Sequence, residues 1–366
     1  MDKKKTLTIG LSGNLLSDQR MQRIAQALHE DGWSVTVLYR NYYKYDAGAK
    51  PAADHRPYHS EAIRCLFRAG IGFYICFNLM LFLKLLFRKT DAYYAVDSDT
   101  LPAFILLSLI RRKRLIYDAH EYFSEVPELK GKTVKKRIWH LITKLGVARA
   151  DTCITVGPLL AAELERVYKK PFHAVRNVPL WQSNPSAKAF ERPVLLYQGA
   201  LNEGRMLELL IQAMKDLPEF DCILAGEGDL SKTLRAAAAG LPNIRFAGLM
   251  TPGALRELTP RCFAGFNLLD ASGSLSYYYS LSNKYFDYMQ AGIPSVSSDL
   301  PEYAALNARW DCGICIENSK TALISLLQEW KNNPPLYAKL KENAKFAAEA
   351  NHWALEKQML LNLIRP

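Results

Sequence analysis

A chain of 366 residues is long enough for two domains, each with a core of its own. Its composition, 49% hydrophobic and 23% charged, is that of a globular protein and excludes disordered and fibrous chains. Charge is spread unevenly: residues 1–190 carry 30 Lys+Arg against 17 Asp+Glu, while residues 191–366 carry 17 against 19, so the whole excess of +11 lies in the first half. Such a half faces something anionic, and an acidic membrane surface fits better than nucleic acid because the basic clusters lack aromatic interleaving or a reader motif. Seven cysteines without a repeating spacing imply a reducing, cytoplasmic setting. The CxxC of Cys312 and Cys315 has no second pair and reads as buried strand packing.

Along the chain, MDKKKTLTIGLSG opens as a strand rather than a signal peptide, followed by an amphipathic helix over 18–31 and the strand WSVTVLYR. The apolar stretch 69–83 falls short of the ~20 residues a membrane span needs, and Lys84 interrupts it. It predicts a buried helix, or a helix resting on a membrane surface with Arg64, Arg68, Lys84, Arg88 and Lys89 as anchors. AYYAVD, a helix from Leu101, RLIYDAH, a helix from Val134, DTCITVG, a helix from Leu159 and FHAVRN complete the first series. Three prolines without periodicity mark 177–193 as a linker.

A second series runs VLLYQGA, a helix over 205–215, FDCILAGEGD, a helix to Ala239, NIRFAGL, a short helix, FAGFNLL, SLSNKYFDYMQAGIPSVSSD and GICIE, then closing helices. Short apolar strands alternating with helices predict parallel sheets covered on both faces. The expected fold is therefore α/β, with two Rossmann-like doubly wound domains facing across a cleft. These are 1–180 and 190–349, with a last helix over 350–366 packing back on the first.

In such sheets ligands sit at the carboxyl ends of strands. Three strand tips of the second series carry chemistry. GALNEGR offers Gly199 for a close turn and Arg205 in the first helical turn; GEGD offers Gly226 and Gly228 to leave room for a ligand; and Ser280 or Ser282 can cap a helix bearing Lys284 and Asp287. Two cations beside a helix N-terminus make an anion site. Asp287 would repel phosphates but suits a pair of sugar hydroxyls, so a ribose beside a diphosphate meets both demands.

These segments resemble the donor half of the fourth family of glycosyltransferases (glycosyl transferases group 1), which have the GT-B fold and retain configuration. GALNEGRMLELLIQAM, LAGEGDL and SNKYFDYMQAGIPSVSSDLPE are similar to its glycine, basic-residue and E-x7-E segments. The resemblance implies that Asp287 holds the ribose and that Arg205 and Lys284 stabilise the diphosphate. LSDQRMQRIAQALHEDGWSVTVL, YYAVDSDTLPA, LIYDAHEYFSEVPEL and ADTCITVGPLLAAEL extend the likeness more loosely to the first half, placing His120 near the transferred sugar and Gly13 among the donor-binding positions. In two places the chain departs from the pattern. Tyr279 stands where the first acid of E-x7-E belongs, and Ala200 replaces an arginine.

The implied activity is transfer of a sugar, with retention, from a nucleotide-diphosphate sugar to a lipid-linked or saccharide acceptor in bacterial surface polysaccharide synthesis. It would take place at the inner face of the cytoplasmic membrane. No cofactor is implied beyond the donor substrate. A nucleotide-sugar epimerase and a non-catalytic binding subunit are the alternatives. Asp97-Ser98-Asp99 spells DxD, a metal-binding pattern in another fold, but it precedes a helix with Pro102 in its first turn. Ser98 or Asp99 is therefore expected as an N-cap and no metal is expected.

Overall fold

The computed structural model describes residues 4–40, 56–182 and 187–365. They form two compact units, Met1–Arg176 with Glu356–Pro366, and Asn177–Leu355. The first holds β1 (Thr6–Leu11), β2 (Ser34–Arg40), β3 (His59–Ile63), β4 (Ala92–Val96), β5 (Arg114–Ala119), β6 (Thr152–Thr155) and β7 (His173–Ala174). The second holds β8 (Val194–Gln198), β9 (Asp221–Ala225), β10 (Ile244–Gly248), β11 (Ala264–Asn267), β12 (Ser295–Ser298) and β13 (Gly313–Ile316).

Every ladder is parallel, in the orders β3-β2-β1-β4-β5-β6-β7 and β10-β9-β8-β11-β12-β13. Both sheets therefore reverse direction beside their first strand, which is the doubly wound arrangement. Central strands such as β4 (AYYAV) and β8 (VLLYQ) are buried at every position, as a sheet covered on both faces demands. β3 was not legible in the sequence: HSEAI is an edge strand that buries only Ile63, so it carries no apolar run. The helix Pro301–Trp310 also escaped, its start hidden behind the small-residue strand β12.

The helix Gly70–Phe87 packs Phe73, Phe77, Leu81 and Leu85 inward. Its Asn78 is buried and reaches the start of the helix Leu101–Ile110, accepting from Ala103 N at 3.0 Å and donating to Asp99 O at 2.7 Å. Asn78 thus caps a helix from outside it, and the expected caps do other work. Ser98 bonds Tyr117 and Thr143, Asp99 takes a hydrogen bond from Ser12 at 2.6 Å, and Thr100 occupies the cap position without a side-chain cap bond. A polar side chain from a neighbouring helix reached the buried first-turn amide that the local residues did not serve.

The last helix, Trp353–Ile364, is anchored through Glu356, whose carboxylate accepts from Arg176 N and Nε at 2.7 Å each, and Arg114 donates to Leu363 O and Ile364 O. Asn78→Ala should cost about 1–3 kcal/mol, from a lost cap and an unsatisfied buried carbonyl. Urea denaturation would measure it, and an unchanged midpoint would refute the capping role.

Candidate functional site

In the second unit the strand order reverses between β8 and β11, and a crevice at such a point lies outside the carboxyl ends of the strands. The segment after β8 carries Gly199 and Arg205; the segment after β11 leads through the short helix Leu275–Tyr278 to the helix Asn283–Gln290. The two segments touch, with Asp270 N donating to Gly204 O at 2.9 Å. The Asn283–Gln290 helix ends where expected: Gly292 is left-handed at φ 66°, Ile293 N returns to Tyr288 O at 3.1 Å, and Pro294 prevents continuation.

At its start, Ser282 holds the cap position but its hydroxyl donates to Asn267 Oδ1 at 2.7 Å, and no side chain caps the helix. Asn267 in turn donates to Ser297, tying the tips of β11 and β12 beneath the helix. The first-turn amides are left without a side-chain acceptor, so no cap answers the positive end of this helix.

Lys284 follows in this first turn and is buried, at 8% exposure, with its ammonium 5.0 Å from the centre of the Tyr197 ring. Burial, then the nearby Arg205, push its pKa well below the usual lysine value, while Asp287 only partly offsets them. Arg205 lies over the Tyr277 ring at 4.9 Å, and its Nε is buried without a hydrogen-bond partner. Neither cation has an ion pair among the described residues. Two neighbouring basic groups without an ion pair, one of them buried, mark a candidate anion site.

Arg205 is not in a helical turn as expected: the helix begins at Leu207, and Met206 before it is left-handed at φ 54°. The extra loop length lets the guanidinium lie against Tyr277 rather than along the helix. One turn beyond Lys284, Asp287 is oriented by Gln198, the last residue of β8, whose Nε2 donates to Oδ2 at 2.8 Å; Thr259 holds the other end of that amide.

The glycines act differently from expectation. A Cβ on Gly226 would lie 1.8 Å from Gly199 O, and one on Gly228 2.3 Å from Leu201 O. The space beside both is filled by the backbone of the preceding loop rather than kept for a ligand. Gly199, at φ 135°, donates to Ala225 O at 2.9 Å, and Gly228 N donates to Ser231 Oγ at 2.8 Å. These glycines press two loops together, and that contact fixes where Arg205 can stand.

Gly13 and His120 belong to the first unit. Gly13 is exposed, and a side chain there would meet nothing closer than Leu11 at 3.6 Å. His120 follows β5 in a charge cluster: Nε2 is 3.3 Å from Asp118 Oδ2, without hydrogen-bond alignment, and Nδ1 is 3.8 Å from Asp97 Oδ2. Asp118 is buried between Arg20, paired at 2.8 Å, and Tyr94, which donates at 2.7 Å. Burial would raise the Asp118 pKa, but Arg20 and His120 hold it well below the usual range. Burial pulls His120 down, yet Asp97 and Asp118 overrule it and bring it to about 9. Asp97 is left-handed at φ 56°, held there by His120 N donating to its Oδ1 at 2.8 Å. Burial and Asp97 together raise Asp99 to about 7.

Among the described residues no group of three His, Cys, Asp or Glu is placed to hold a metal ion, and Cys312 and Cys315 are free thiols packed by Tyr285 and Asn307. Sequence reasoning missed Gln198, Tyr277 and Asp118, and it weighed Asp97 only as part of a DxD rather than as a partner of His120. Gln198 left a signal, being the polar last residue of an otherwise apolar buried strand.

Residues 182–346 match the family described as glycosyl transferases group 1. No curated protein sequence matches the chain. Among solved structures, sucrose-phosphate synthase from Thermosynechococcus elongatus is similar at 15% identity and TM-score 0.80, over 99% of this chain and 98% of that one. Anabaena HepE in complex with UDP and glucose is similar at 16% identity and TM-score 0.76, over 98% and 99%. WaaG, a glycosyltransferase involved in lipopolysaccharide biosynthesis, is similar at 16% identity and TM-score 0.72, over 98% and 100%. At these identities the likeness establishes the fold, GT-B.

Since folded His120 keeps its proton to about pH 9, against ~6.5 unfolded, its stabilising contribution is complete below about pH 6.5 and is lost as pH rises through about 9. The gap in melting temperature between the native protein and His120→Gln should therefore narrow across that window. A gap constant with pH would show the imidazole to be neutral in the fold.

Proposed function

We infer that this chain, whose residues 182–346 form a glycosyl transferases group 1 domain within a GT-B fold, transfers a sugar from a nucleotide-diphosphate donor to a lipid-linked or saccharide acceptor. The observation that carries the reading is the adjacent pair Arg205 and Lys284, neither in an ion pair among the described residues, beside an uncapped helix start. A diphosphate gains negative charge as its bond to the sugar breaks, so positive groups already in place stabilise the transition state more than the bound donor. Asp287, held by Gln198, takes the ribose hydroxyls.

Retention of configuration belongs to the same reading and is read from the anomeric signal of the first product formed. The complexes of HepE with UDP and glucose make UDP-glucose the first donor to test, and the likeness to WaaG supports an acceptor in surface polysaccharide synthesis. Tyr279 in place of an acid favours a second reading, a donor-binding subunit that does not turn over. Incubation with UDP-, GDP- and ADP-sugars separates the two: a transferase releases nucleoside diphosphate, whereas a binding subunit gains thermal stability and releases none.

Asp287→Ala should weaken donor binding by about 1.5–3 kcal/mol, the worth of charge-assisted hydrogen bonds to hydroxyls, with the melting temperature little changed. Unaltered affinity in calorimetry would sink the ribose assignment. Arg205→Ala and Lys284→Ala should lower kcat more than donor affinity; an equal loss in both would remove their leaving-group role. Because the cations and the helix start answer the diphosphate charge, turnover should survive EDTA. Loss of activity restored by Mg²⁺ or Mn²⁺ would overturn a metal-independent site.

A further inference from the structure

The first unit has a surface that its own fold does not account for. Three helices, Gly70–Phe87, Leu101–Ile110 and Thr133–Arg149, pack side by side. Tyr74 meets Trp139 edge-on at 5.0 Å, and Gly146 lies so close to Leu101 that a Cβ there would be 2.5 Å from its side chain. Their inner sides bury Phe73, Phe77, Phe104, Leu107 and Val147. Their outer sides are apolar as well.

Ile71, Ile75 and Leu79 are exposed at 78%, 63% and 52% on the first of these helices, at the four-residue spacing of one helical face. Leu106, Leu109 and Ile110 continue the surface on the second. On the third, Ile138, Leu141 and Leu145 are exposed in the same manner. Scattered exposed apolar residues need no explanation, but an apolar face shared by three adjacent helices marks an interaction surface.

Charge identifies the partner. None of the three helices contains an Asp or a Glu. Exposed cations lie on and around them, including Arg68, Lys89, Arg112, Lys135, Arg137 and Lys144. Two of the anchors expected from the sequence are already engaged, since Lys84 and Arg88 both pair with Glu61. The Thr133–Arg149 helix supplies the cations instead. A second copy of this chain on the same face would set one basic rim against another, as a two-fold interface pairs each patch with itself.

Nor does the Gly70–Phe87 helix cross a bilayer, although its length and composition would allow it. It joins β3 to β4, two strands of one sheet, so both its ends stay on one side. Asn78 ties its middle to the neighbouring helix. We propose that the acid-free face built by Gly70–Phe87, Leu101–Ile110 and Thr133–Arg149 rests on an anionic lipid bilayer, with its apolar side chains entering the headgroup region and its cations pairing with lipid phosphates. The surface lies in the first unit, apart from the residues assigned to the donor in the second, so it stands or falls independently of the donor reading.

The test is co-sedimentation of the full chain with phosphatidylcholine vesicles, with and without phosphatidylglycerol, at low and high salt. Each cation near an anionic surface strengthens binding about fivefold. The variant Lys135→Ala/Arg137→Ala/Lys144→Ala should therefore bind anionic vesicles about a hundredfold more weakly at low salt. Ile75→Glu/Leu141→Glu, at exposed positions, should lose binding at least about tenfold while keeping the native melting curve and UDP binding. Native protein that stays in the supernatant with anionic vesicles overturns the proposal, as does undiminished binding by the glutamate variant. A native dimer that the two glutamates dissociate overturns it too, by assigning the face to self-association.

Discussion

A parallel strand cannot be followed directly by its neighbour; the chain must cross over, and in both sheets here it does so by a helix or a long segment. Every loop leaving the carboxyl end of a strand then emerges on the same edge of its sheet. That constraint gathers residues as far apart as Gly199, Arg205, Lys284 and Asp287 around β8 and β11. It also places Asp97 and His120, from β4 and β5, beside each other in the first unit. No residue-level interaction needs to draw these groups together, because the winding of the sheet has already done so.

Within this frame the two units treat buried charge in opposite ways. In the first, the charges of Arg20, Asp118, His120 and Asp97 compensate one another, and Tyr94 and the Val175 carbonyl add hydrogen bonds, while His120 Nε2 is buried without one. The charges of this cluster are answered from within the unit. In the second, Arg205 and Lys284 face each other's charge and are steadied by Tyr277 and Tyr197 rings rather than by carboxylates. An aromatic face holds a cation without neutralising it. Burial and Arg205 work against the Lys284 ammonium, and Asp287 only partly offsets them.

The loop contact between Gly199 and Gly226 links these levels. With 1.8 Å available to a Cβ at Gly226, the two loops approach as closely as backbone allows. Hydrogen bonds from Gly199 N to Ala225 O and from Leu230 N to Leu201 O fasten them. The register of this contact sets the path of the segment that ends in Arg205. A motif that looked like space for a ligand is a joint between two loops.

From the sequence alone came the alternation of short apolar strands with helices, and with it two doubly wound units. So did the helix stop at Gly292 and Pro294 and the identity of the ionisable groups at the strand tips. All of these rest on local chemistry: side-chain period, turn residues, and the fact that strand ends carry loops. What surrounds each group was decided elsewhere. Asn78 capping a helix not its own, Gln198 orienting Asp287, Tyr277 beneath Arg205 and Lys84 spent on Glu61 are contacts between segments distant in sequence. The three-helix apolar face is of the same kind, since a helix such as Thr133–Arg149 reads as an ordinary surface helix until its neighbours show which side is already buried. Linear spacing records which residues share a helix face or a strand edge, but only packing determines what that face meets.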